Sequence, residues 1–159
     1  MEGLDEKVSC HKLNVMPSAI LVKQATRMYK HELDLKIKEE VQRLLAAGFI
    51  KSIQHPLWLS SIVTVGKIDK NQIRICVDFR DLNRAYPKDE FPLPSIDSLI
   101  DATAGHEMYS FMDGYVGYNQ IKMDPTNAEK TVFRTPLGNF MYIVIPFGLK
   151  NAGATYQRR

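Results

Sequence analysis

The sequence predicts an α+β fold, and three patterns in its 159 residues lead to that class. One long segment has apolar residues at helical spacing. Near the middle, one β-branched apolar segment precedes one that alternates like a β strand, and two more β-rich segments flank a PLGN turn. Hydrophobic residues make up 45% of the chain, which is enough for the core of one domain or of part of a larger one.

The first half begins with an arm and a helix. Residues 1–28 show little periodicity and are predicted to form an irregular N-terminal arm. A helix is predicted from Tyr29 to Ala47. Its apolar face comprises Leu33, Ile37, Val41, Leu44 and Leu45. Glu39 and Arg43 form a predicted i,i+4 pair on the polar side, and Gly48 suits the helix end.

Two strands follow the helix. The first runs from Ile62 to Val65, and the second alternates so that Arg74 faces away from the core. The predicted core face of the second strand carries Ile73, Ile75 and Val77. The connection Gly66–Gln72 contains Lys67 and Lys70. An ordinary solvated hairpin and a phosphate-binding hairpin both fit these two cations.

The second half starts with prolines that force an extended chain. Ser95 is predicted to cap a short helix that ends before Gly105. The apolar positions of that helix are Ile96, Leu99 and Ile100. A strand is then predicted from Met108 to Asp113.

A hairpin and a last helix complete the pattern. Thr131–Thr135 and Phe140–Ile145 are predicted to pair around the PLGN turn, where Gly138 and Asn139 suit positive φ. Pro146 ends the second of these strands. Asn151 is predicted to cap a final helix that starts at Ala152.

Charge and cysteine usage bound the function. The net charge of +3 permits a polyanionic partner without requiring one. Cys10 and Cys76 lack metal-site spacing and are predicted to be free thiols in a reducing compartment. No secretory signal or apolar run of about 18 residues is present. The protein is therefore expected to be intracellular and soluble, with no membrane partner.

The stretch YSFMDGYVGYNQI contains the main candidate for metal chemistry. Asp113 ends a short apolar run, Gly114 comes directly after it, and Gly117 follows three residues later. A carboxylate beside an open turn offers hard oxygen ligands to a divalent ion. The spacing alone favours a carboxylate that only caps the turn, and the metal interpretation stays open beside it at this point.

Three long blocks carry a family resemblance. They are VDFRDLNRAYPKDEFPLPSID, SFMDGYVGYNQIKM and EKTVFRTPLGNFMYIVIPFGLKNAGATYQR, and upstream segments match in the same order. The chain from about Cys10 to Arg159 resembles the reverse transcriptase of Ty3/gypsy-type long-terminal-repeat retrotransposons, especially those of plants. The resemblance implies an RNA-directed DNA polymerase with a right-hand fold. It also implies a location in the cytoplasm or alternatively the nucleus. Residues 29–90 would be fingers, and residues 91–159 would begin the palm.

The implied reaction is attack of a primer 3′-hydroxyl on the α-phosphorus of a deoxynucleoside triphosphate, directed by an RNA or DNA template. Two Mg²⁺ ions would assist it, with Mn²⁺ as the alternative ion. Asp113 matches a catalytic metal ligand, and the carbonyl of Gly114 would reach the same metal. Tyr118 matches the aromatic gate that excludes a ribose 2′-hydroxyl.

The remaining implied contacts fall into two groups. The incoming nucleotide would meet Lys67, Arg74, Tyr118, Phe147 and Gly148, with Lys70 as a rival to Lys67. The templating strand would meet Asp78, Phe79 and Arg80. Phe147 and Gly148 would also mark the fingers–palm junction.

Two departures from the family pattern stand out. Val116 occupies a position where the family usually has serine. The family's other two catalytic carboxylates come from a Tyr-x-Asp-Asp hairpin, whereas these 159 residues contain no Asp-Asp pair. The chain is therefore expected to be a truncated reverse transcriptase that lacks the rest of the palm, the thumb and RNase H.

Such a chain is expected to be inactive alone and marginally stable, since the missing palm strands would leave an edge and an apolar face uncovered. Two alternatives remain. One is a non-catalytic retrotransposon relic with weak nonspecific nucleic-acid binding. The other is an unrelated metal-dependent phosphotransferase that uses Asp113.

Overall fold

A computed structural model describes residues 10–67, 70–110, 114 and 116–158, without the side chains of residues 67, 70 and 71. Five α-helices lie in this part of the chain: α1 His31–Ala46, α2 Arg80–Arg84, α3 Ile96–Thr103, α4 Pro125–Ala128 and α5 Ala152–Gln157. Two 3-10 helices cover Gly117–Gln120 and Glu129–Thr131. The strands are β1 Cys10–His11, β2 Ile50–Ser52, β3 Ile62–Lys67, β4 Lys70–Val77, β5 Lys122–Met123, β6 Phe133–Thr135 and β7 Gly138–Tyr142.

These strands form three small sheets, so the predicted mixture of helices and strands is confirmed. β3 and β4 make an antiparallel hairpin in which Ile62 pairs with Val77. β2, β7 and β6 form an antiparallel sheet in that order. β1 lies parallel to β5, which ties the start of the described chain to its second half.

The hydrophobic core lies where α1 covers the central strands. Ile37 and Val41 on α1 have no exposed surface, and α1 packs against β2 and β4. Ile62, Phe133 and Ile145 are equally buried and belong to the same core cluster. Burial of apolar side chains at about 25 cal/mol per Å² is the main stabilising contribution to such a core.

The helix α1 is confirmed, with two exceptions: Leu45 of its predicted apolar face is exposed, and its predicted ion pair does not form. The helix starts two residues later than predicted and ends one residue earlier. Gly48 follows its end with φ of 71°, a conformation that costs glycine little. The predicted pair of Glu39 and Arg43 is wrong, because Arg43 donates instead to Glu40 at 2.7 Å.

The central hairpin has the predicted facing. Ile73 and Val77 are buried, while Arg74 is exposed on the opposite face, in register with Val65. The strands extend to Lys67 and resume at Lys70, so the connection is shorter than predicted.

The short helix α3 has the predicted cap and stop but not a buried face. The hydroxyl of Ser95 accepts the backbone N–H of Ser98 at 3.1 Å, and Gly105 has φ of 82°. Its apolar positions are exposed by 75% at Ile96, 54% at Leu99 and 61% at Ile100. The strand predicted after it is wrong for residues 108–110, which are irregular, and its remaining residues, 111–113, lie outside the described part.

The late hairpin is confirmed, but β6 begins at Phe133 rather than at Thr131. β7 runs from Gly138 to Tyr142 rather than from Phe140 to Ile145. Gly138 has φ of 125°, whereas positive φ at Asn139 is not observed. The predicted side-chain cap by Asn151 is also wrong. Its side chain accepts the N–H of Asp89 and donates to the carbonyl of Pro87, each at 3.0 Å. These bonds attach the segment around Pro87 and Asp89 to the start of α5.

The N-terminal arm is irregular in its described part apart from β1. Gln24 attaches this arm to the segments beside the central hairpin. Its side-chain amide donates to the carbonyl of Asp78 and to the carboxylate of Asp81, and it accepts the N–H of Ser61. None of the helices in the described residues is long and apolar enough to cross a bilayer.

Candidate functional site

A tight turn presents Tyr118. The carbonyl of Gly114 accepts the N–H of Gly117 at 2.9 Å, and Val116 between them is left-handed with φ of 50° and ψ of 39°. A β-branched residue rarely adopts that conformation, because its side chain crowds the backbone. The turn leads directly into the 3-10 helix Gly117–Gln120, on which Tyr118 is half-buried.

Two aromatic rings hold Tyr118 from different sides. The ring of Phe147 lies 5.4 Å away with an interplanar angle of 68°. The ring of Tyr156 on α5 lies 5.5 Å away at 85°. Both are edge-to-face arrangements, which favour the positive ring edge against the negative ring face. Phe147 is itself exposed, so the cluster opens to solvent on that side.

The loop that carries Phe147 and Gly148 is tied to α2. Asn83 donates its amide to the carbonyl of Gly148 at 2.8 Å and accepts the N–H of Lys150 at 2.9 Å. Gly148 has φ of 97°, and a Cβ placed on it would lie 3.6 Å from the ring of Phe79. The segment after β4 and the loop before α5 are therefore neighbours.

The segment after β4 is held by an ion pair. Arg80 donates to both carboxylate oxygens of Asp78, at 2.8 and 2.6 Å, and these bonds hold the pKa of Asp78 below its usual range. The side chain of Arg80 is otherwise exposed, whereas Asp78 and the ring of Phe79 are buried. Of these three side chains, Arg80 is the one available to an outside partner.

The helix α5 is anchored through its polar residues. The hydroxyl of Thr155 bonds to Nδ1 of His11 at 2.7 Å, and Arg158 donates to both oxygens of Asp89 at 2.7 and 2.8 Å. His11 is 1% exposed, and burial lowers its pKa from 6.5 to about 4. It is therefore neutral at pH 7.

The predicted nucleotide contacts form one connected group and several separate positions. Tyr118, Phe147 and Gly148 lie together, and Gly148 adjoins Phe79. Arg74 is exposed on the hairpin, and no contact among the described residues joins it to this group. The backbones of Lys67 and Lys70 face each other across the hairpin end. Asp113 lies outside the described residues.

The described residues do not form a complete metal cage. They contain no group of three or more His, Cys, Asp or Glu side chains placed to hold an ion. The carbonyl of Gly114 accepts the N–H of Gly117, and a carbonyl oxygen has a second lone pair of the kind that can bind a cation.

Three structurally important residues were missed from the sequence: Tyr156, Asn83 and Gln24. Asn83 and Gln24 act through hydrogen bonds to segments distant in the chain, for which no local pattern exists. For Tyr156, the sequence does contain an indication. Two glycines three residues apart, Gly114 and Gly117, mark a place where another group can approach the backbone closely.

Comparison with known proteins identifies the family of the chain. Residues 65–159 match the family model described as reverse transcriptase (RNA-dependent DNA polymerase), which covers the turn, the ring cluster and α5. The chain is 33% identical over 152 residues to the retrovirus-related Pol polyprotein from transposon 297 of Drosophila melanogaster. It is 30% identical over 139 residues to that from transposon 412 and 29% identical over 126 residues to that from transposon gypsy, both from the same organism.

These alignments cover 93%, 84% and 77% of the chain, respectively. The chain in turn spans only 14%, 11% and 12% of the length of those polyproteins. The resemblance to gypsy-type elements read from the sequence is thus confirmed. On the family match over more than half of its residues, the chain belongs to the reverse transcriptase family.

Proposed function

We propose that this chain supplies the fingers and the first part of the palm of a reverse transcriptase that extends a primer on an RNA or DNA template. The observation that carries the proposal is the cluster of Tyr118, Phe147 and Gly148, which lies inside the region that matches the family. It combines an aromatic ring, an exposed edge and an exposed glycine backbone, which suit contact with the sugar and the flat base of a nucleotide.

The proposed roles follow the chemistry of each residue. Tyr118 contacts the sugar of the incoming nucleotide and excludes a 2′-hydroxyl. Arg74 and Lys67, or Lys70 in its place, neutralise the triphosphate. Phe147 and Gly148 flank the nucleotide. Arg80 contacts the template, because its exposed guanidinium keeps donors beyond those that bind Asp78.

The metal ions would be held by residues other than these nucleotide and template contacts. Asp113 and the carbonyl of Gly114 are hard oxygen donors of the kind that Mg²⁺ prefers, so they fit part of the site. Bound Mg²⁺ or Mn²⁺ would activate the primer hydroxyl and stabilise the charge on the triphosphate. The turn at Val116 orients the Gly114 carbonyl through its bond to Gly117.

A polypeptide of only these 159 residues is proposed to be inactive. Two divalent ions about 4 Å apart repel each other, and a single carboxylate cannot offset that repulsion. The sequence contains no Asp-Asp pair to assist Asp113. Activity therefore requires a longer polyprotein that provides the remaining carboxylates.

A primer-extension assay tests the proposal. The full-length protein should incorporate deoxynucleotides, and Asp113→Asn should reduce the rate by about a hundredfold or more, as expected when transition-state charge loses its stabilisation. Asp101→Asn is the matched control, because Asp101 is an exposed carboxylate on α3, away from the cluster. Full activity of Asp113→Asn, or template-dependent synthesis by residues 1–159 alone, would contradict the proposal.

A further inference from the structure

The ring of Tyr156 occupies a niche made by two glycines. A Cβ atom on Gly117 would lie 2.8 Å from both the ring and the hydroxyl of Tyr156, and one on Gly114 would collide with that hydroxyl. Any other residue at either position would therefore displace the tyrosine. The turn before Tyr118 and the ring of Tyr156 fit each other closely.

The same ring also contacts Tyr118. It meets Tyr118 nearly at right angles, and the hydroxyl of Tyr118 in turn points toward Gly153, one turn earlier on α5, where a Cβ would lie 3.7 Å away. One side of Tyr118 is thus braced by α5. The other side meets Phe147, which is 63% exposed, against 36% for Tyr156.

The helix α5, which carries Tyr156, is held in place by contacts with other parts of the chain. Neighbours of Tyr156 on α5 bond to distant segments, Thr155 to His11 and Arg158 to Asp89. Ala152 and Ala154 of the same helix are buried. A displacement of the backbone that carries Tyr156 would therefore have to break contacts on more than one face of the helix.

We propose that Tyr156 is a positioning residue for sugar discrimination: wedged against Gly114 and Gly117, it holds Tyr118 at the place where that ring meets the 2′ position of the nucleotide. This inference rests on the proposed function of Tyr118 and adds to it. Without the brace, Tyr118 can turn into the vacated space, and a ribonucleotide gains room for its 2′-hydroxyl.

The test compares deoxy- and ribonucleotide incorporation by the full-length protein. The readout is the ratio of kcat/KM for a deoxynucleotide to kcat/KM for the matching ribonucleotide. Tyr156→Ala should lower this ratio about three- to tenfold, the range that one edge-to-face ring contact supplies. Tyr156→Phe keeps the ring in the niche and should hold the ratio within about twofold of the unaltered protein.

A double-mutant cycle shows whether Tyr156 acts through Tyr118. In a Tyr118→Ala background, Tyr156→Ala should change the ratio by less than about twofold, because the ring that it positions is gone. Effects that multiply in the double variant would overturn the inference. Equal losses of kcat/KM for both nucleotides in Tyr156→Ala would also overturn it, since they indicate a purely structural role.

Two further outcomes are distinguishable. If Tyr156→Ala does not fold, Tyr156→Leu keeps much of the side-chain bulk but removes the ring, and the same criteria apply to it. If the unaltered protein incorporates neither nucleotide, the proposed function itself fails, and the inference fails with it. Normal synthesis with an unchanged ratio in both Tyr156→Ala and Tyr156→Leu would refute the role of Tyr156 alone.

Discussion

The helices α1 and α3 differ in what their apolar faces meet. Both have apolar residues at helical spacing, and both end at a glycine with positive φ. The face of α1 is buried against the central strands, with Ile37 and Val41 wholly inside. The face of α3 is exposed and forms an open groove of about 330 Å³ together with Tyr109.

The two helices are also held by different means. Lys30 at the start of α1 makes no side-chain capping bond, whereas Ser95 at the start of α3 makes one. Isolated short helices are marginally stable in water. The helix α1 is stabilised by tertiary packing, whereas α3 has an exposed face and is stabilised mainly by local hydrogen bonds such as its cap. Helical periodicity therefore predicts that a helix has an apolar face. Only the surrounding structure shows whether that face is buried and so stabilises the protein.

The largest expected effect comes from truncating the same residue type in each helix. Ile37→Ala should destabilise the protein by about 2–5 kcal/mol, because it leaves a cavity in the core. Ile100→Ala is the matched control and should change the free energy of unfolding by no more than about 0.5 kcal/mol, because its side chain is exposed. Urea unfolding of both variants measures the difference. Similar losses would show that the face of α3 is buried in solution.

The second prediction extends the comparison from buried apolar groups to a buried polar one, His11. Its pKa is about 4 in the folded protein and 6.5 in the unfolded chain. Between these values the unfolded chain binds the proton and the folded protein does not. Stability should therefore be complete above pH 6.5 and fall by about 3 kcal/mol as the pH drops toward 4.

Thermal unfolding between pH 4 and 7 checks this prediction, with His11→Gln as the control. The variant should lose most of the pH dependence in that window, whatever its absolute stability. The pKa values of Asp78, Asp89 and Asp124 are lowered below 3.8 by hydrogen bonds, so those carboxylates act only at lower pH. An equally steep dependence in His11→Gln would assign the effect to other groups.

The third prediction concerns the two helix-ending glycines. Alanine at either position is strained by positive φ, although neither site is crowded. Gly48→Ala should cost about 1 kcal/mol of global stability, because α1 unfolds only with the core. Gly105→Ala should cost less in global unfolding, since α3 can fray locally and escape the strain.

Chemical denaturation of the pair tests this difference directly. Circular dichroism should show slightly less helix in Gly105→Ala and no loss in Gly48→Ala. Equal changes in the free energy of unfolding would mean that α3 and the core unfold as one cooperative unit.

Local features of the fold were predictable, and long-range ones were not. The helix α1 and both hairpins follow from periodicity and turn residues that lie close together in the chain. The exposure of α3 and the role of Asn151 depend on segments about 60 residues away or on packing, which no local pattern records. Asn151 suits a helix cap by residue type, but the backbone at Pro87 and Asp89 binds its side chain instead.

The candidate site was predictable to a similar extent. Resemblance identified Tyr118, Phe147 and Gly148, and the structure brings these three together, while their roles stay predictions. Tyr156 was missed because its partners, Gly114 and Gly117, lie about 40 residues earlier in the chain. Their spacing shows that space is available and does not show which side chain fills it.

The smallest effect should come from the cap of α3. Ser95→Ala removes the hydroxyl that accepts the N–H of Ser98, a loss of about 1 kcal/mol to the helix. Because α3 contributes little burial, this loss should appear as faster amide hydrogen exchange in its first turn, about fivefold, with little change in global unfolding.

Ser98→Ala is the control for this cap. It removes the hydroxyl contact between Ser95 and Ser98, 2.7 Å long, but keeps the backbone N–H that the cap binds. Exchange in the first turn should therefore change less than in Ser95→Ala. If Ser95→Ala instead lowers the global free energy of unfolding by its full local amount, α3 is coupled to the core despite its exposed face. The helices α1 and α3 would then differ only in the solvent exposure of their apolar faces, and both would unfold together with the core.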